Sequence, residues 1–280
     1  MRMRQRPEEL FSSVQVVTEK LEKLRRMPKA QKQLVIYFTP RSGSSWLTEV
    51  LSQSNRIGRA NEVFNPGFIP NIAQACNATS LADYIDLVQR RLNTHGVFSF
   101  EITWHQLKAV FGNGDAFMEH FGTARPAWLI RRDIVAQAVS LAKMVTTKVA
   151  HSTAADAEQR QQADSNFTYD PALIRRWLLH ILVAERGTET HFTEHGIKPL
   201  RLSYEGIMAA GGEQMRACFA QYMDITGIPE LATASSHSKL ATSQNSDYAT
   251  RFRNDEAALL RDVDEERADW LTALNSSPPD

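Results

Sequence analysis

One short segment constrains the fold of this chain more than any other, because it joins a buried strand to a helix through a tight polar turn. Residues 34–38 form a continuous apolar run rich in β-forming side chains, as in a strand buried on both faces of a parallel sheet. The turn Thr-Pro-Arg-Ser-Gly follows at residues 39–43. Residues 44–51 then carry apolar side chains at helical spacing. The segment predicts a strand, a glycine-containing turn and a helix in direct succession.

The rest of the chain repeats this alternation. Further strands are predicted at residues 96–100, 127–130 and 198–204. Helices are predicted at residues 80–92, 104–111, 133–150, 170–195, 211–226 and 254–274. Polar or turn-rich connections are expected at residues 55–79, 151–166 and 232–246. We therefore expect an α/β fold, a single domain over residues 33–280 with a central parallel sheet flanked by helices.

Two of the predicted helices carry clear start signals. Ser80 precedes the helix over residues 80–92, and Asp83 completes a pattern like a capping box. Asp170 followed by Pro171 is a typical N-cap and first helical residue, and Gly196 is the expected stop of that helix.

Residues 1–32 are predicted to form an N-terminal amphipathic helix and a linker. Leu10, Val14, Val17, Leu21 and Leu24 recur at spacings of four and three, which predicts a helix over residues 8–26. One apolar stripe requires one partner surface. That surface is either the chain's own domain or a second subunit.

Composition excludes several classes of protein. Lys+Arg and Asp+Glu both number 32, so there is no net positive charge to attract nucleic acid or an anionic membrane. No apolar run is long enough for a membrane span, and the basic N-terminus lacks the apolar core of a signal peptide. The two cysteines, Cys76 and Cys218, form no zinc pattern. We expect a cytoplasmic protein without a metal.

The turn after the first strand has the composition of an anion site. A helix N-terminus directs unpaired N–H groups and a positive dipole end at such a turn. Gly43 allows the backbone to approach a ligand, Arg41 adds a cation, and Ser42, Ser44 and Ser45 add hydroxyl groups. The turn lacks the first glycine and the lysine of the nucleotide-binding loop GxxxxGK[ST], which disfavours an ATPase, a GTPase or a kinase. The simpler alternative is a helix start capped by serines.

A second cluster of polar residues follows the predicted strand at residues 127–130. Arg131, Arg132 and Asp133 lie at its end, and Ser140 lies eight residues beyond Arg132, a little over two helical turns. Arg132 and Ser140 can bind one ligand group only if the ligand brings them together. By themselves, these arginines are better explained as solvated residues at the end of a strand.

Together these segments resemble a known family. The sequence Thr-Pro-Arg-Ser-Gly-Ser-Ser-Trp at residues 39–46 resembles the 5′-phosphosulfate loop of sulfotransferases that use 3′-phosphoadenosine-5′-phosphosulfate (PAPS). Residues 132–140 resemble their 3′-phosphate motif, an arginine with a serine eight residues later. In detail the chain is similar to the bacterial trehalose 2-sulfotransferase type, which includes lipopolysaccharide and Nod-factor-like carbohydrate sulfotransferases. The similarity covers about residues 33–256 and implies a P-loop-like sulfotransferase fold.

The resemblance also implies roles for individual residues. Arg41 contacts the 5′-phosphate and the transferring group, and the adjacent residues 42–45 cradle the phosphosulfate. Arg132 and Ser140 hold the 3′-phosphate. The remaining donor-site matches are Trp46 against the adenine, Tyr204 beside it, and Lys239 near the 3′-phosphate. PAPS is then the co-substrate and PAP the product, without a metal, and the enzyme is a homodimer acting on a hydroxyl of a small molecule, glycan or glycolipid.

The catalytic base is open among three residues. Glu62 matches the glutamate proposed as base in the trehalose-type enzymes, which would make Glu62 and Arg41 the catalytic pair. Related enzymes often carry lysine where this chain has Glu101, and Glu101 and His105 are the other candidates. The acceptor pocket is expected in the connections at residues 55–79 and 151–168. The rival functions are a nucleotide-binding module without catalysis and, with less support, a kinase.

Overall fold

Four parallel strands form the centre of the molecule, which confirms the predicted fold class. The computed structural model describes residues 7–148, 162, 164–227 and 243–274. The strands are β1 (Lys32–Phe38), β2 (Val97–Ile102), β3 (Arg125–Ile130) and β4 (Leu200–Ser203), in the sheet order β2-β1-β3-β4. Every pairing between neighbours is parallel. The carboxyl ends of the strands therefore meet at one edge, where ligands of open α/β sheets bind.

Helices cover both faces of this sheet. In chain order they are α1 (Thr18–Arg26), α2 (Ser44–Ser52), α3 (Ile69–Cys76), α4 (Leu81–Arg91), α5 (Trp104–Val110), α6 (Gly114–Phe121), α7 (Ile134–Thr147), α8 (Pro171–Glu194), α9 (Tyr204–Tyr222), α10 (Ser243–Asp255) and α11 (Ala257–Ala273). Each strand leads almost directly into a helix, namely α2, α5, α7 and α9.

The alternation of side chains along β1 explains why its sequence is continuously apolar. Val35 and Tyr37 join a core layer with α3, α4, α5 and α6. Leu34, Ile36 and Phe38 join a second layer with α2 and α9 on the opposite face. A third apolar cluster packs α7 and α8 against α10 and α11. A strand buried on both sides has no polar face, as the sequence indicates.

The predicted continuous helix over residues 8–26 is wrong. The chain instead forms a short 3-10 helix at Pro7–Leu10, and α1 begins only at Thr18. Between them, the backbone N–H of Val17 donates a 2.7 Å hydrogen bond to the Asn77 side chain at the end of α3. A contact with a distant residue therefore outweighs local helical periodicity here.

The N-terminal apolar stripe packs mainly on the chain's own domain. Leu10 is 3% exposed within the first core layer, and Val14, Leu21 and Leu24 pack against that layer. Val17 departs from the stripe, since it is 44% exposed. The boundary between residues 1–32 and 33–280 stays a prediction.

Three further expectations need correction. The connection at residues 55–79 contains α3, and α9 begins at Tyr204 rather than at Gly211. Gly211 instead interrupts α9 with a φ of 79°. Helices α6 and α10 have no counterpart among the predicted elements. Lys239, most of the polar segment over residues 151–166 and most of residues 232–246 lie outside the described residues.

The predicted helix starts are confirmed. The Ser80 hydroxyl accepts a 3.2 Å hydrogen bond from the backbone N–H of Asp83. The Asp170 carboxylate accepts one of 3.0 Å from Leu173, with Pro171 as the first residue of α8. Gly196 follows the end of α8 with a φ of 62°.

Candidate active site

The turn between β1 and α2 brings its backbone unusually close to the start of α9. Gly43 has a φ of 88°, and a Cβ atom placed there would lie 2.7 Å from the ring of Tyr204. Only glycine satisfies both conditions without displacing that ring. Arg41 also has a positive φ, 68°, which is uncommon for a residue with a side chain. Such backbone strain is typical of a functional turn.

The N-terminus of α2 differs from the starts of the other helices that directly follow strands. Thr103, Asp133 and Ser203 cap α5, α7 and α9 with side-chain hydrogen bonds. The N-cap residue of α2 is Gly43, which has no side chain to provide such a hydrogen bond. Its first N–H groups and the positive end of its dipole are therefore available to an anion in the turn.

Side chains in the turn add further donors. The Ser42 hydroxyl is fully buried and has no hydrogen-bond partner within the described residues. A buried hydroxyl normally has a partner, and a ligand bound in the turn would supply one. The Gln137 side chain fixes this turn by donating to the Thr39 hydroxyl at 2.9 Å and to the Pro40 carbonyl at 2.7 Å.

Two cations lie near each other at the mouth of the turn. Burial, and then the positive charge of Arg131, lower the pKa of Arg41. The guanidinium of Arg131 stacks over Tyr204, 4.7 Å from the ring centroid. Like charges repel, and an anion bound beside both would relieve this repulsion. The residues that form this anion cradle are Arg41, Ser42, Gly43, Ser44, Ser45 and Arg131.

The structure brings the two predicted donor motifs together. The Arg41 Nε atom donates a 3.0 Å hydrogen bond to the Ser140 hydroxyl on α7. Arg132 is exposed at the end of β3, and its backbone N–H donates to a Glu205 carboxylate oxygen at 3.0 Å. Both motifs therefore belong to one edge of the sheet.

Trp46 and Tyr204 occupy different surroundings at this edge. Trp46 is 8% exposed and packs in the second core layer with α2 and α9. Tyr204 is the first residue of α9 and faces the turn. Arg131 and Glu205 were not assigned roles from the sequence, although each adjoins an assigned residue. Their position next to Arg132 and Tyr204 is the sequence feature from which their place in the site could have been predicted.

A pocket of about 390 Å³ opens beside the anion cradle, a size typical of small-ligand sites. Helix α2, the connection after it, α3 and β2 all contribute to its wall. The lining residues are Ser45, Thr48, Arg59, Ala60, Asn61, Glu62, Phe68, Asn71, Ile72 and Glu101. Ser45 belongs to both the cradle and the pocket, so the two sites are adjacent. The connection at residues 55–79 forms most of this wall.

Glu62 is held in the pocket by two amide side chains. Its Oε2 atom accepts hydrogen bonds from Asn65 at 2.9 Å and from Gln106 at 2.5 Å. Gln106 is itself fixed, because it forms a reciprocal capping box with Thr103 at the start of α5. The position of the Glu62 carboxylate is therefore set by α5 as well as by its own connection.

Glu101 is the more deeply buried of the two pocket carboxyl groups. Burial, and then the negative charge of Glu62, raise the pKa of Glu101 to about 8. One oxygen of Glu101 is near the Ser44 hydroxyl, with which it hydrogen-bonds, and Oε2 has no partner within the described residues. At neutral pH the Glu101 carboxyl group mostly carries its proton. In this form it is a hydrogen-bond donor rather than a free base.

His105 does not line this pocket. Its ring stacks on His180 of α8 with centroids 4.1 Å apart, and its Nε2 lies 3.2 Å from the His180 carbonyl oxygen. Burial, and then the positive charge of His105, lower the pKa of His180 to about 4. These contacts join α5 to α8, so the structure gives His105 a packing role.

Other kinds of site find no support in the described residues. No group of three or more His, Cys, Asp or Glu side chains is arranged there to hold a metal ion. None of the described helices combines the length and the apolar character that crossing a membrane requires.

Comparison with known families identifies the family of the chain. A family model described as Stf0 sulphotransferase matches residues 33–255. The chain belongs to the Stf0 sulphotransferase family. The match confirms the resemblance seen in the two donor motifs. No protein of curated function matches the sequence.

Membership of the Stf0 sulphotransferase family indicates an enzyme that transfers a sulfuryl group to a hydroxyl-bearing acceptor. The family match contains the anion cradle, the pocket and the Arg132–Ser140 motif. It ends with α10, so α11 and the first 32 residues lie outside it.

Proposed function

We propose that this sulphotransferase transfers a sulfuryl group from PAPS to a hydroxyl group of a carbohydrate or glycolipid, with Glu62 as the base. The observation that carries the proposal is the adjacency of an anion cradle and a pocket that contains a fixed carboxylate. Both sites use the first turn of α2, through Ser44 and Ser45. A donor in the cradle and an acceptor in the pocket would therefore meet at this turn.

The cradle residues fit the phosphosulfate end of PAPS. The buried Ser42 hydroxyl lacks a partner, the first N–H groups of α2 have no side-chain cap, and Arg41 and Arg131 add positive charge. Arg132 and Ser140 would hold the 3′-phosphate, and Trp46 and Tyr204 would lie on the adenine side. Trp46 is the weakest of these assignments because its side chain is largely buried in the core.

The chemistry requires charge stabilisation and one proton transfer. PAPS supplies a sulfuryl group that is activated by an anhydride bond, and PAP is the leaving group. Arg41 and the α2 N–H groups would stabilise the negative charge that develops on the departing phosphate oxygen during in-line displacement. Glu62 would accept the proton of the attacking hydroxyl, since its carboxylate is held in position by Asn65 and Gln106. Glu101 would donate a hydrogen bond to the acceptor.

The direct test is turnover of labelled donor. The full chain is incubated with sulfur-labelled PAPS and a panel of glycans, glycolipids and small metabolites, and products are identified by mass spectrometry. Transfer of the label to one acceptor, with release of PAP, supports the proposal. Binding of PAP without transfer to any acceptor would support the nucleotide-binding module instead. Phosphate transfer from ATP in the presence of magnesium would support the kinase.

Replacing Glu62 tests the base. Glu62→Gln keeps the shape of the side chain and removes its basicity, so kcat should fall about 100- to 10,000-fold while PAP affinity changes little. Glu22→Gln on the exposed face of α1 is the matched control and should behave as wild type. Normal turnover of Glu62→Gln, together with an inactive Glu101→Gln or His105→Ala, would transfer the role to that residue.

The family resemblance extends the proposal to assembly, and the two cysteines without a zinc pattern, which fit a reducing compartment, extend it to location. We expect a homodimer in the cytoplasm. Sedimentation at equilibrium should give twice the chain mass of 31.6 kDa, and a mass of 31.6 kDa at working concentration would reject the dimer.

A further inference from the structure

A fully buried arginine of α11 binds the backbone that carries the donor-site arginines. The side chain of Arg267 is 1% exposed. Its Nη2 atom donates to the carbonyl oxygen of Arg131 at 2.7 Å, and its Nη1 atom donates to that of Arg132 at 3.0 Å. These carbonyls lie where β3 ends and α7 is about to begin.

The same guanidinium is paired with a buried carboxylate of α8. Arg267 Nε and Nη2 donate to the two oxygens of Glu185 at 2.7 and 3.2 Å, and the Glu185 side chain is fully buried. The planar guanidinium thus uses its fork of donors on one carboxylate and two carbonyls at once. A lysine has no such planar arrangement of donors.

Residues 131–133 are held on their other side by Glu205. Its carboxylate accepts hydrogen bonds from the backbone N–H groups of Arg132 and Asp133, at 3.0 and 3.3 Å. Carbonyl groups on one side and N–H groups on the other are therefore fixed by two charged side chains. The direction in which the side chains of Arg131 and Arg132 leave β3 is set by this double attachment.

Stability alone is a weak explanation for the buried ion pair. Removing two charges from water is costly, and well-packed apolar side chains are often as stabilising as a buried pair. Apolar side chains cannot, however, hold two carbonyl groups in position. Arg267 therefore differs from an apolar residue in the hydrogen bonds that it donates to the carbonyl groups of Arg131 and Arg132.

We propose that Arg267 is a positioning residue of the donor site, which orients Arg131 and Arg132 for the phosphate groups of PAPS through their backbone. The proposal rests on the proposed function, because it assumes that this edge of the sheet binds PAPS. It makes α11 part of the donor site, although α11 lies beyond the residues matched by the family model.

The test replaces the pair together, because Arg267→Met alone would leave Glu185 buried and unpaired. Glu185→Met with Arg267→Met removes both charges and keeps the volume. The matched control is Arg186→Met with Glu266→Met, which removes an exposed bidentate pair between the same two helices. Calorimetry then measures the affinities for PAP and for adenosine 5′-monophosphate, which lacks the 3′-phosphate.

The double variant at the buried pair should lose about tenfold or more in PAP affinity. It should lose less in affinity for adenosine 5′-monophosphate, which keeps the phosphate beside Arg131 but lacks the phosphate assigned to Arg132. The control should keep both affinities. Equal loss for both ligands, or no loss for either, would reduce Arg267 to a structural residue and overturn the proposal. Wild-type protein that binds neither ligand would overturn the proposed function itself.

A second variant keeps the test decisive if the double variant does not fold. Arg267→Lys retains a positive charge opposite Glu185 but cannot serve both carbonyls and the carboxylate in one plane. It should fold, raise KM for PAPS and leave kcat nearly unchanged. Wild-type KM together with wild-type PAP affinity in this variant would also reject the positioning role.

Discussion

At the scale of single residues, the anion cradle depends on a position without a side chain. Gly43 combines a φ of 88° with a site where a Cβ would lie 2.7 Å from the Tyr204 ring. The positive φ restricts the backbone, and the short distance to Tyr204 restricts the space for a side chain. A second glycine that has only the positive φ allows the two effects to be measured separately. Gly112 has a φ of 81° and no atom within 4 Å of a Cβ placed there.

We expect Gly43→Ala to lose more stability than Gly112→Ala, because the steric overlap with Tyr204 adds to the backbone cost, and we expect the two variants to differ in PAP binding. Each substitution costs about 1–2 kcal/mol for a positive φ. Only Gly43→Ala displaces Tyr204 and the turn, so only it should weaken PAP binding. Thermal denaturation and calorimetry measure the two effects. Equal PAP affinities in the two variants would remove the close approach of Gly43 and Tyr204 from the site.

Glu101 should make stability depend on pH. Its pKa is raised from 4.5 to about 8 in the folded protein. Between these values the unfolded chain loses the proton and the folded chain keeps it, so the free energy of unfolding falls as pH rises. A difference of one in pKa between the folded and unfolded states corresponds to about 1.4 kcal/mol in the free energy of unfolding. Below pH 4.5 the contribution of the protonated Glu101 to the free energy of unfolding is fully present, and above about pH 8 it is lost.

Comparison with Glu101→Gln isolates this contribution from other titrating groups. The variant has no carboxyl group to ionise at this position. Its melting temperature relative to wild type should therefore rise from pH 4.5 to about 8 and then level off. A difference that stays constant over this range would mean that Glu101 is ionised in the folded protein. Turnover that rises toward pH 8 in wild type and is absent in Glu101→Gln would make Glu101 the base.

At the scale of elements, the sequence correctly predicted those strands and helix starts that depend on interactions between residues close together in the chain. The strands were predicted from their apolar runs, and Ser80 and Asp170 marked helix starts through hydrogen bonds to residues three positions away. The break before α1 was not predictable in this way, because it depends on the side chain of Asn77, 60 residues from Val17. Helix α3 was not predicted, because turn-forming residues surround it in the connection at residues 55–79.

The same distinction applies to the site. The turn and the Arg132–Ser140 motif were visible because each is contiguous in sequence. The hydrogen bond from Arg41 to Ser140 joins residues 99 positions apart, and that from Gln106 to Glu62 joins residues 44 positions apart. Local sequence patterns do not predict which residues far apart in the chain form hydrogen bonds with each other. The fixation of Glu62 by α5 and the protonation of Glu101 required the structure.

The N-terminal segment should contribute to the stability of the domain. Leu10 is buried in the first core layer, and Val17 is exposed to solvent. Leu10→Ala should therefore lower the free energy of unfolding by about 2–5 kcal/mol, whereas Val17→Ala should change it by about 0.5 kcal/mol or less. Denaturant unfolding measures both. Equal effects of the two substitutions would show that the segment does not pack on the domain as described.

At the scale of the whole molecule, the positive charge of the anion cradle is local. The chain has equal numbers of basic and acidic residues, while Arg41 and Arg131 concentrate positive charge at one turn. Kinases obtain comparable charge from magnesium ions. The sulphotransferase should therefore bind PAP and turn over PAPS equally well with and without a chelator. Loss of activity in chelator that magnesium restores would reject the metal-free donor site.

Ser44 has a consequence for the search for the acceptor, because it is a residue of the cradle and a hydrogen-bond partner of Glu101 in the pocket. A ligand in the cradle that took up the Ser44 hydroxyl would change the surroundings of Glu101 in the pocket. Thermodynamic linkage makes such an effect reciprocal, so an acceptor whose affinity changes when PAP binds must change the affinity for PAP by the same factor. Unknown acceptors can therefore be found by titrating PAP in the presence of candidate compounds, before any product has been detected.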